Sequence, residues 1–416
     1  MPSCLTHSQT GAPHRWHLPA AVLVVWGAWG LPVTAIADPP SPAQAPATPT
    51  ATPSEVAAAA PAPADSTPKA AEHSEFHGSF ELNNQYSAGT EPLRATLALS
   101  YSDLFSKPDE LSALYQIAPQ DAKQVSVFAA TYASHPLPYA LQPSIYFVDS
   151  NTNVPNADTA GGVLGKGQIL GFRLSHALSA AAPATQSITL AVEYKHFRNT
   201  LALDDDSASS GTPISYPNLS LAYTGNWSST SREIGVNASA NFGPHGGANA
   251  DNAYADDDFH ARSNYAYVRA DGQVVTSLPK GMRLYLRLAG QYAGKSLNIN
   301  EDYPVAGIDG VRGYLEAEVL GDRAWKGTVQ LQSPTLQRGA RQIADAFVYF
   351  DAAAAQMLEV LPGEPMSMHP RSWGLGVDLA PWKHITGSLV WARPLVSADA
   401  TRAGESRLLF LVRGTF

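Results

Sequence analysis

Apolar and polar residues alternate along most of the chain from Phe80 onward. In the stretch "SITLAVEYK", Ile188, Leu190, Val192 and Tyr194 are separated by Thr, Ala and Glu, and "PLRATLALSY" and "GMRLYLRLAGQY" follow the same rule. A period of two residues with one apolar face is typical of β-strands. The polar face is small or basic, which favours a transmembrane barrel with lipid outside and a wet lumen over a soluble sandwich of two sheets.

The alternation predicts an all-β fold, a transmembrane antiparallel β-barrel of about sixteen strands, an even number as in single-chain bacterial barrels. The predicted strands lie at residues 80–86, 93–101, 111–117, 125–132, 144–148, 168–178, 186–197, 216–226, 232–242, 262–277, 281–292, 326–333, 343–352, 372–380, 384–392 and 406–416.

Connections between the predicted strands alternate in length. Short ones include "SSTS" near 228–231 and "LPK" at 278–280, whereas the long ones are 149–167, 198–215, 243–261, 293–325 and 353–371. Short periplasmic turns and long surface loops are typical of outer-membrane barrels. The last strand, "RLLFLVRGTF", ends in Phe416. It resembles the terminal signal of barrels that the barrel-assembly machinery inserts.

The N-terminal region is typical of an exported chain. His14 and Arg15 precede an apolar run that ends at Ala35-Ile36-Ala37, which predicts a signal peptide over 1–37. A transmembrane anchor is the alternative, disfavoured by Pro32 and the small residues near it. Residues 38–75 are rich in Pro and Ala and predict a disordered periplasmic linker. The barrel is therefore assigned to 76–416.

Composition narrows the candidate chemistry further. The formal net charge is −9, and the only cysteine, Cys4, precedes the apolar run, so no disulfide or thiolate site is expected after cleavage. The acidic runs 204–206 and 256–258 match no calcium-loop spacing and indicate solvated loops. Neither H-E-x-x-H nor G-x-S-x-G occurs. We expect no enzyme activity, metal, cofactor or nucleic-acid partner.

The longest loop carries "GIDGVRGYLEAEVLGD" at 307–322. It resembles the sixth surface loop of two-partner-secretion outer-membrane translocators, the ShlB/FhaC/HecB-like haemolysin secretion and activation proteins of the BamA/FhaC superfamily. The tip motif matches at Val311, Arg312, Gly313 and Tyr314, and the supporting positions are Gly307, Gly321, Asp322, Gln291 and Glu301. The likeness continues in "VEYKHFRN", "LSLAYTGNW" and the opening strands, so it covers most of 76–416.

The resemblance implies a loop that folds back into the barrel, with Arg312 against an acidic residue of the inner wall. The stretch "FVYFDAAA" supplies Asp351 for that role, with Asp345 as the competing partner. A carboxylate can accept both hydrogen bonds of a guanidinium. Gly310 and Gly313 are expected to permit the sharp turn at the tip. A solvated surface Arg312 is the alternative.

The same resemblance implies an outer-membrane protein translocator that exports, and as a further option activates, a secreted client protein. The expected location is the bacterial outer membrane, with its lipid and the barrel-assembly machinery as further partners. Residues 38–75 are too short and polar for the family's periplasmic POTRA domains. A passive pore without client recognition, or a barrel that uses a separate POTRA-bearing protein, therefore remains an alternative.

Six basic residues are predicted to line the lumen and tune a pore: Arg94, Arg173, Arg283, Arg287, Arg407 and Arg413.

Overall fold

The computed structural model describes residues 76–105, 108–152, 162–164, 166–181, 183–198, 200–202, 213–244, 264–338, 341–360 and 365–416. The predicted signal peptide (1–37), the predicted linker (38–75) and both acidic runs (204–206 and 256–258) lie outside these residues.

Sixteen long strands follow one another along the described chain. They are β1 Phe76–Asn83, β2 Arg94–Ser102, β3 Glu110–Ile117, β4 Val125–Ala133, β5 Leu141–Thr152, β6 Lys166–Ala181, β7 Ala184–Phe197, β8 Ile214–Ser228, β9 Arg232–Phe242, β10 Ala266–Ser277, β11 Arg283–Ala293, β12 Arg323–Gln332, β13 Arg341–Gln356, β14 Arg371–Trp382, β15 Ile385–Pro394 and β16 Arg407–Thr415. Short strand segments add to them: Gly162–Leu164 pairs with Thr200–Ala202, and Leu336–Arg338 and Ser367–Met368 each pair with β13.

The strands close into a barrel. Each pairs antiparallel with its neighbours in the chain, and β1 also pairs with β16, from Ser79 opposite Thr415 to Asn83 opposite Leu411. Backbone hydrogen bonds of 2.9 Å in both directions between Gly78 and Phe416 extend this seam. The predicted fold class is confirmed: the chain forms a closed antiparallel barrel of 16 strands.

The alternation of side chains places apolar residues on the outer surface. Leu170, Leu190, Leu288 and Val348 are all more than half exposed, and such residues recur around the barrel. A continuous apolar outer band would be unfavourable in water and is typical of a surface that faces lipid.

The fifth strand is longer than the predicted 144–148, because β5 runs from Leu141 to Thr152. Its sequence "LQPSIYFVDSNT" alternates poorly at both ends. Pairing decides its length: β5 aligns with β4 up to Val125 opposite Thr152 and with β6 from Leu141 opposite His176. Pairing with the neighbouring strands therefore makes β5 longer than its own alternation pattern indicates.

No helix in the described part of the chain is both long enough and apolar enough to cross a lipid bilayer.

Candidate functional site: the loop inside the barrel

The loop between β11 and β12, residues 294–322 and called L6 below, lies inside the barrel. Val305 and Val311 are fully buried and Tyr314 is nearly so. They pack in one cluster with small wall residues, namely Ala289 of β11, Ala324 of β12, and Ala353 and Ala355 of β13. Because these wall side chains are small, the loop backbone can approach the strands closely.

Glycines shape the tip of L6. Gly307 and Gly313 have φ values of +110° and +95°, which residues with a Cβ rarely adopt. Gly310, expected to supply such a turn, is not among the residues with positive φ. Gly310 nevertheless closes a turn, since its N–H donates to the Gly307 carbonyl oxygen at 3.2 Å, and a Cβ there would overlap the carbonyl oxygen of Val305.

Arg312 contacts Asp351 of β13 through three hydrogen bonds. Its Nε and Nη2 donate to Asp351 Oδ2 and Oδ1 at 2.8 and 2.9 Å, and its backbone N–H donates to Oδ2 at 3.1 Å. Asp351 is fully buried and Arg312 is 8% exposed. The contact has the bidentate geometry in which a guanidinium and a carboxylate interact most strongly. We call this contact the tip ion pair.

Strand register explains why the surroundings suit this pair. Thr328 of β12 lies opposite Asp351, and Gln330 lies opposite Tyr349, so all four side chains point into the lumen. Thr328 Oγ1 donates to Asp351 at 2.9 Å, Gln330 accepts from Arg312 at 2.9 Å, and the guanidinium lies 3.4 Å from the Tyr349 ring centroid. The inward orientation of Tyr349 and Asp351 agrees with the alternation expected for this strand.

The competing partner, Asp345, lies elsewhere. It contacts Arg283 of β11 at 3.4 Å. The predicted lumen cation Arg283 is thus placed beside the second candidate acid, and the tip ion pair uses Asp351.

Asp322 holds the base of L6. Its Oδ1 accepts from the backbone N–H of Leu297 at 2.6 Å, and its Oδ2 accepts from that of Leu358 at 2.7 Å. Gly321, just before it, is packed so tightly that a Cβ would lie 2.8 Å from the backbone nitrogen of Gln356. The pair Gly321-Asp322 therefore joins the end of L6 to its start and to the loop after β13.

Glu301 contacts a different part of the wall. Its carboxylate accepts from Lys195 Nζ of β7 at 2.7 Å, from Tyr216 Oη of β8 at 2.6 Å and from Tyr267 Oη of β10 at 2.6 Å. Gln291 donates to the Glu301 carbonyl oxygen at 3.0 Å. L6 is thereby also fixed to the part of the wall formed by β7, β8, β10 and β11.

Asp309 forms a further contact that the sequence analysis did not identify. Its carboxylate accepts from Arg287 of β11 at 2.5 Å and from Lys326 of β12 at 3.0 Å. Burial alone would raise the pKa of the Asp309 carboxyl, but the two neighbouring cations outweigh burial and hold it well below its usual range. The signal was present in the sequence, since Arg287 and Lys326 occupy inward positions of the strands that flank L6.

The far end of L6 reaches the loop between β15 and β16. Glu318 accepts from the backbone N–H and the hydroxyl of Thr401 at 2.7 and 2.6 Å. Tyr314 Oη donates to the carbonyl oxygen of Val396 at 2.6 Å. L6 therefore contacts strands and loops around most of the lumen.

The predicted lumen cations have partners within the wall or the loops. Besides Arg283 and Arg287, the contacts are Arg94 to Thr90 Oγ1 at 2.6 Å, Arg173 over the Tyr146 ring at 3.9 Å, Arg407 over the Tyr86 ring at 4.9 Å, and Arg413 to Glu81 at 2.6 Å. Among the described residues, no group of three or more His, Cys, Asp or Glu side chains could hold a metal ion.

Substituting Gly310 by Ala is expected to distort the tip of L6, because the new Cβ would overlap backbone atoms of Val305 in the same loop. Limited proteolysis of the folded barrel should then cut within L6 faster than in the wild type. Gly294→Ala is the matched control, since nothing lies within 4 Å of a Cβ at that position. Equal cleavage of the two variants would contradict the close approach at Gly310.

Solved structures with a similar fold support the barrel architecture. CdiB from Escherichia coli is 15% identical, with a TM-score of 0.64 over 83% of this chain and 64% of that chain. CdiB from Acinetobacter baumannii is 14% identical, with a TM-score of 0.60 over 83% and 60%. BamA from Haemophilus ducreyi lacking POTRA domains 1–3 is 13% identical, with a TM-score of 0.58 over 83% and 71%. The chain thus spans under two thirds of the length of both CdiB structures.

The comparison with curated proteins finds no match. The family model for the haemolysin secretion/activation protein ShlB/FhaC/HecB matches residues 69–352, which is more than half of the chain and includes the tip motif and Asp351. The chain therefore belongs to the ShlB/FhaC/HecB family of haemolysin secretion/activation proteins.

Proposed function

We propose that this protein is an outer-membrane translocator of the two-partner-secretion type, a transporter rather than an enzyme, which exports an unfolded client protein through its barrel. The observation that carries the proposal is the position of L6 in a barrel of this family, with Arg312 bound to the fully buried Asp351. L6 lies inside the barrel and contacts strands β7, β11, β12 and β13. A client could pass only after L6 has moved.

The contacts of L6 suit such movement. Many are hydrogen bonds and ion pairs, as at Glu301, Asp309, Arg312 and Glu318. Water or a passing polypeptide can replace polar contacts of this kind, whereas a tightly packed apolar plug would lose its burial on leaving. A lumen loop held largely by replaceable polar contacts therefore favours translocation.

The proposed partners follow from the same assignment. The client is a secreted protein that crosses the bacterial outer membrane through the barrel. The barrel-assembly machinery would insert the chain by recognising its last strand, β16, and the adjoining Phe416. Lipid would cover the apolar outer band.

Photo-crosslinking in the native outer membrane tests the proposal. A photo-reactive residue at Tyr285, whose hydroxyl contacts inward Gln273, should crosslink to the client during secretion. The matched control carries the photo-reactive residue at the adjacent position, Leu286, which is 38% exposed on the outer face. This control should not crosslink to the client. Pull-down of the crosslinked species would identify the client. Steady, high conductance in planar bilayers without any client crosslink at Tyr285 would instead support the passive pore.

A further inference from the structure

Four basic side chains of the lumen wall contact L6. We call them the basic band: Lys195 of β7, Arg269 of β10, Arg287 of β11 and Lys326 of β12. Two wall carboxylates, Glu193 and Asp271, contact members of this band. The wall alone therefore has more positive than negative charge here, and L6 supplies the remaining carboxylates, Glu301 and Asp309.

Each loop carboxylate shares its cation with a wall carboxylate. Lys195 Nζ lies 2.7 Å from Glu301 and 3.4 Å from Glu193. Arg287 lies 2.5 Å from Asp309 and 2.6 Å from Asp271. A buried cation that loses its only partner is strongly destabilised. Because Lys195 and Arg287 keep a wall partner, the loop carboxylates can leave or be replaced at a lower cost.

The wall also recognises the backbone of L6. Arg269 Nη2 and Gln291 Nε2 each donate to the carbonyl oxygen of Glu301 at 3.0 Å, and Arg287 Nη1 donates to that of Asp309 at 3.3 Å. The site therefore accepts a carboxylate side chain together with the peptide carbonyl of the same residue. An acidic residue within a polypeptide supplies both groups, the carboxylate and the backbone carbonyl oxygen. An inorganic anion supplies only the negative charge.

We infer that the basic band is a binding site for acidic residues of the translocated polypeptide, and that Glu301 and Asp309 occupy it as internal substitutes when no client is present. The inference rests on the proposed function and adds the class of client segment that the lumen binds. An incoming acidic segment would take over the contacts of Glu301 and Asp309 and so displace L6.

Peptide block of the ion current through the full-length protein in planar bilayers tests this inference. The probes are unfolded peptides of equal length with alternating Glu and Ser, Gln and Ser, or Lys and Ser. The Glu–Ser peptide should block wild-type channels, and the block should weaken with salt because the contacts are ionic. In the double variant Glu301→Gln, Asp309→Asn the internal competitor is lost, so the Glu–Ser peptide should bind about tenfold more tightly, a change of about 1.4 kcal/mol.

A second double variant removes the basic band. Lys195→Gln with Lys326→Gln should weaken block by the Glu–Ser peptide about tenfold and leave block by the Gln–Ser peptide unchanged. The matched control is Lys280→Gln with Lys383→Gln, since both lysines are exposed and lie in turns outside the lumen. Faster migration of unheated samples on gels would show that each variant forms a folded barrel.

Three outcomes would overturn the inference. The first is equal block by the Glu–Ser and Gln–Ser peptides in every variant, and the second is an equal loss in the control pair. The third is equal block by linear polyphosphate of matching charge, which would show that binding does not need the backbone carbonyl oxygens of the peptide. None of these measurements uses a client. A failed client crosslink at Tyr285 would count against translocation, while failed peptide block would count against the basic band.

Discussion

Replacing Arg312 by Ala is expected to abolish secretion of the client while the barrel still folds. The substitution would leave Asp351 fully buried without its cation, and breaking a buried ion pair in this way costs about 3–5 kcal/mol. The cost should appear mainly as release of the L6 tip, because β12 and β13 remain paired through their own backbone ladder. Secretion is expected to fail because a tip that Asp351 no longer holds cannot return to its single resting position after L6 has been displaced.

Secretion assays and limited proteolysis of L6 check this expectation together. Arg402→Ala is the matched control, since Arg402 is exposed in the loop between β15 and β16. The double variant Arg312→Ala, Asp351→Ala should release L6 no more than the single variant does, because it leaves no unpaired buried charge. Normal secretion by Arg312→Ala would contradict the role proposed for the tip ion pair.

Replacing Phe416 by Ala is expected to lower the yield of folded barrel. The Phe416 ring occupies the space above Gly78 of β1 and lies 6.3 Å from the Phe76 ring, centroid to centroid. The seam between β1 and β16 pairs only five residues on each strand, against eight between β1 and β2. A loss of about 1.4 kcal/mol at this short seam would reduce the equilibrium constant for barrel closure about tenfold.

The yield of folded barrel, measured by migration of unheated samples on gels, tests this second expectation. Leu408→Ala is the matched control, because Leu408 is 57% exposed on the same strand and pairs with Trp391 of β15. An equal loss in both variants would show that any outer apolar residue of β16 matters as much as Phe416. An unchanged yield for Phe416→Ala would remove its role as an assembly signal.

Much of the barrel could be predicted because alternation reports directly on which face a residue occupies. In β13, Tyr349 and Asp351 are buried whereas Val348 and Phe350 are exposed, as alternation requires. The expectation that Arg312 contacts Asp351 came from the resemblance of the tip motif to the translocator family. Periodicity indicates the face of a strand on which a residue lies, and the resemblance supplied the partner.

Contacts that depend on how strands and L6 meet in three dimensions could not be predicted in the same way. Asp309 contacts Arg287 and Lys326, which lie on two different strands. Alternation shows that both cations point inward, but it does not show which loop residue reaches them. For the same reason Arg287 was expected to line a pore, whereas it lies between Asp271 and Asp309. The sequence also shows that the tip contains several glycines. It does not show which of them adopt a positive φ and which are needed because another atom lies too close for a Cβ.

The ion pairs between L6 and the wall have both polarities: the loop supplies the cation in one and the carboxylates in the others. The loop presents a cation, Arg312, to an acidic wall position at β13, and it presents carboxylates, Glu301 and Asp309, to basic wall positions on β7, β11 and β12. A loop shifted around the barrel by a strand or two would bring Arg312 toward Lys326 or Arg287 and would set its acids beside like charges. Like-charge contacts in a narrow lumen are costly. The combination of loop cation and loop carboxylates therefore stabilises the observed position of L6 and makes shifted positions unfavourable. A displaced loop can then return to a single resting position.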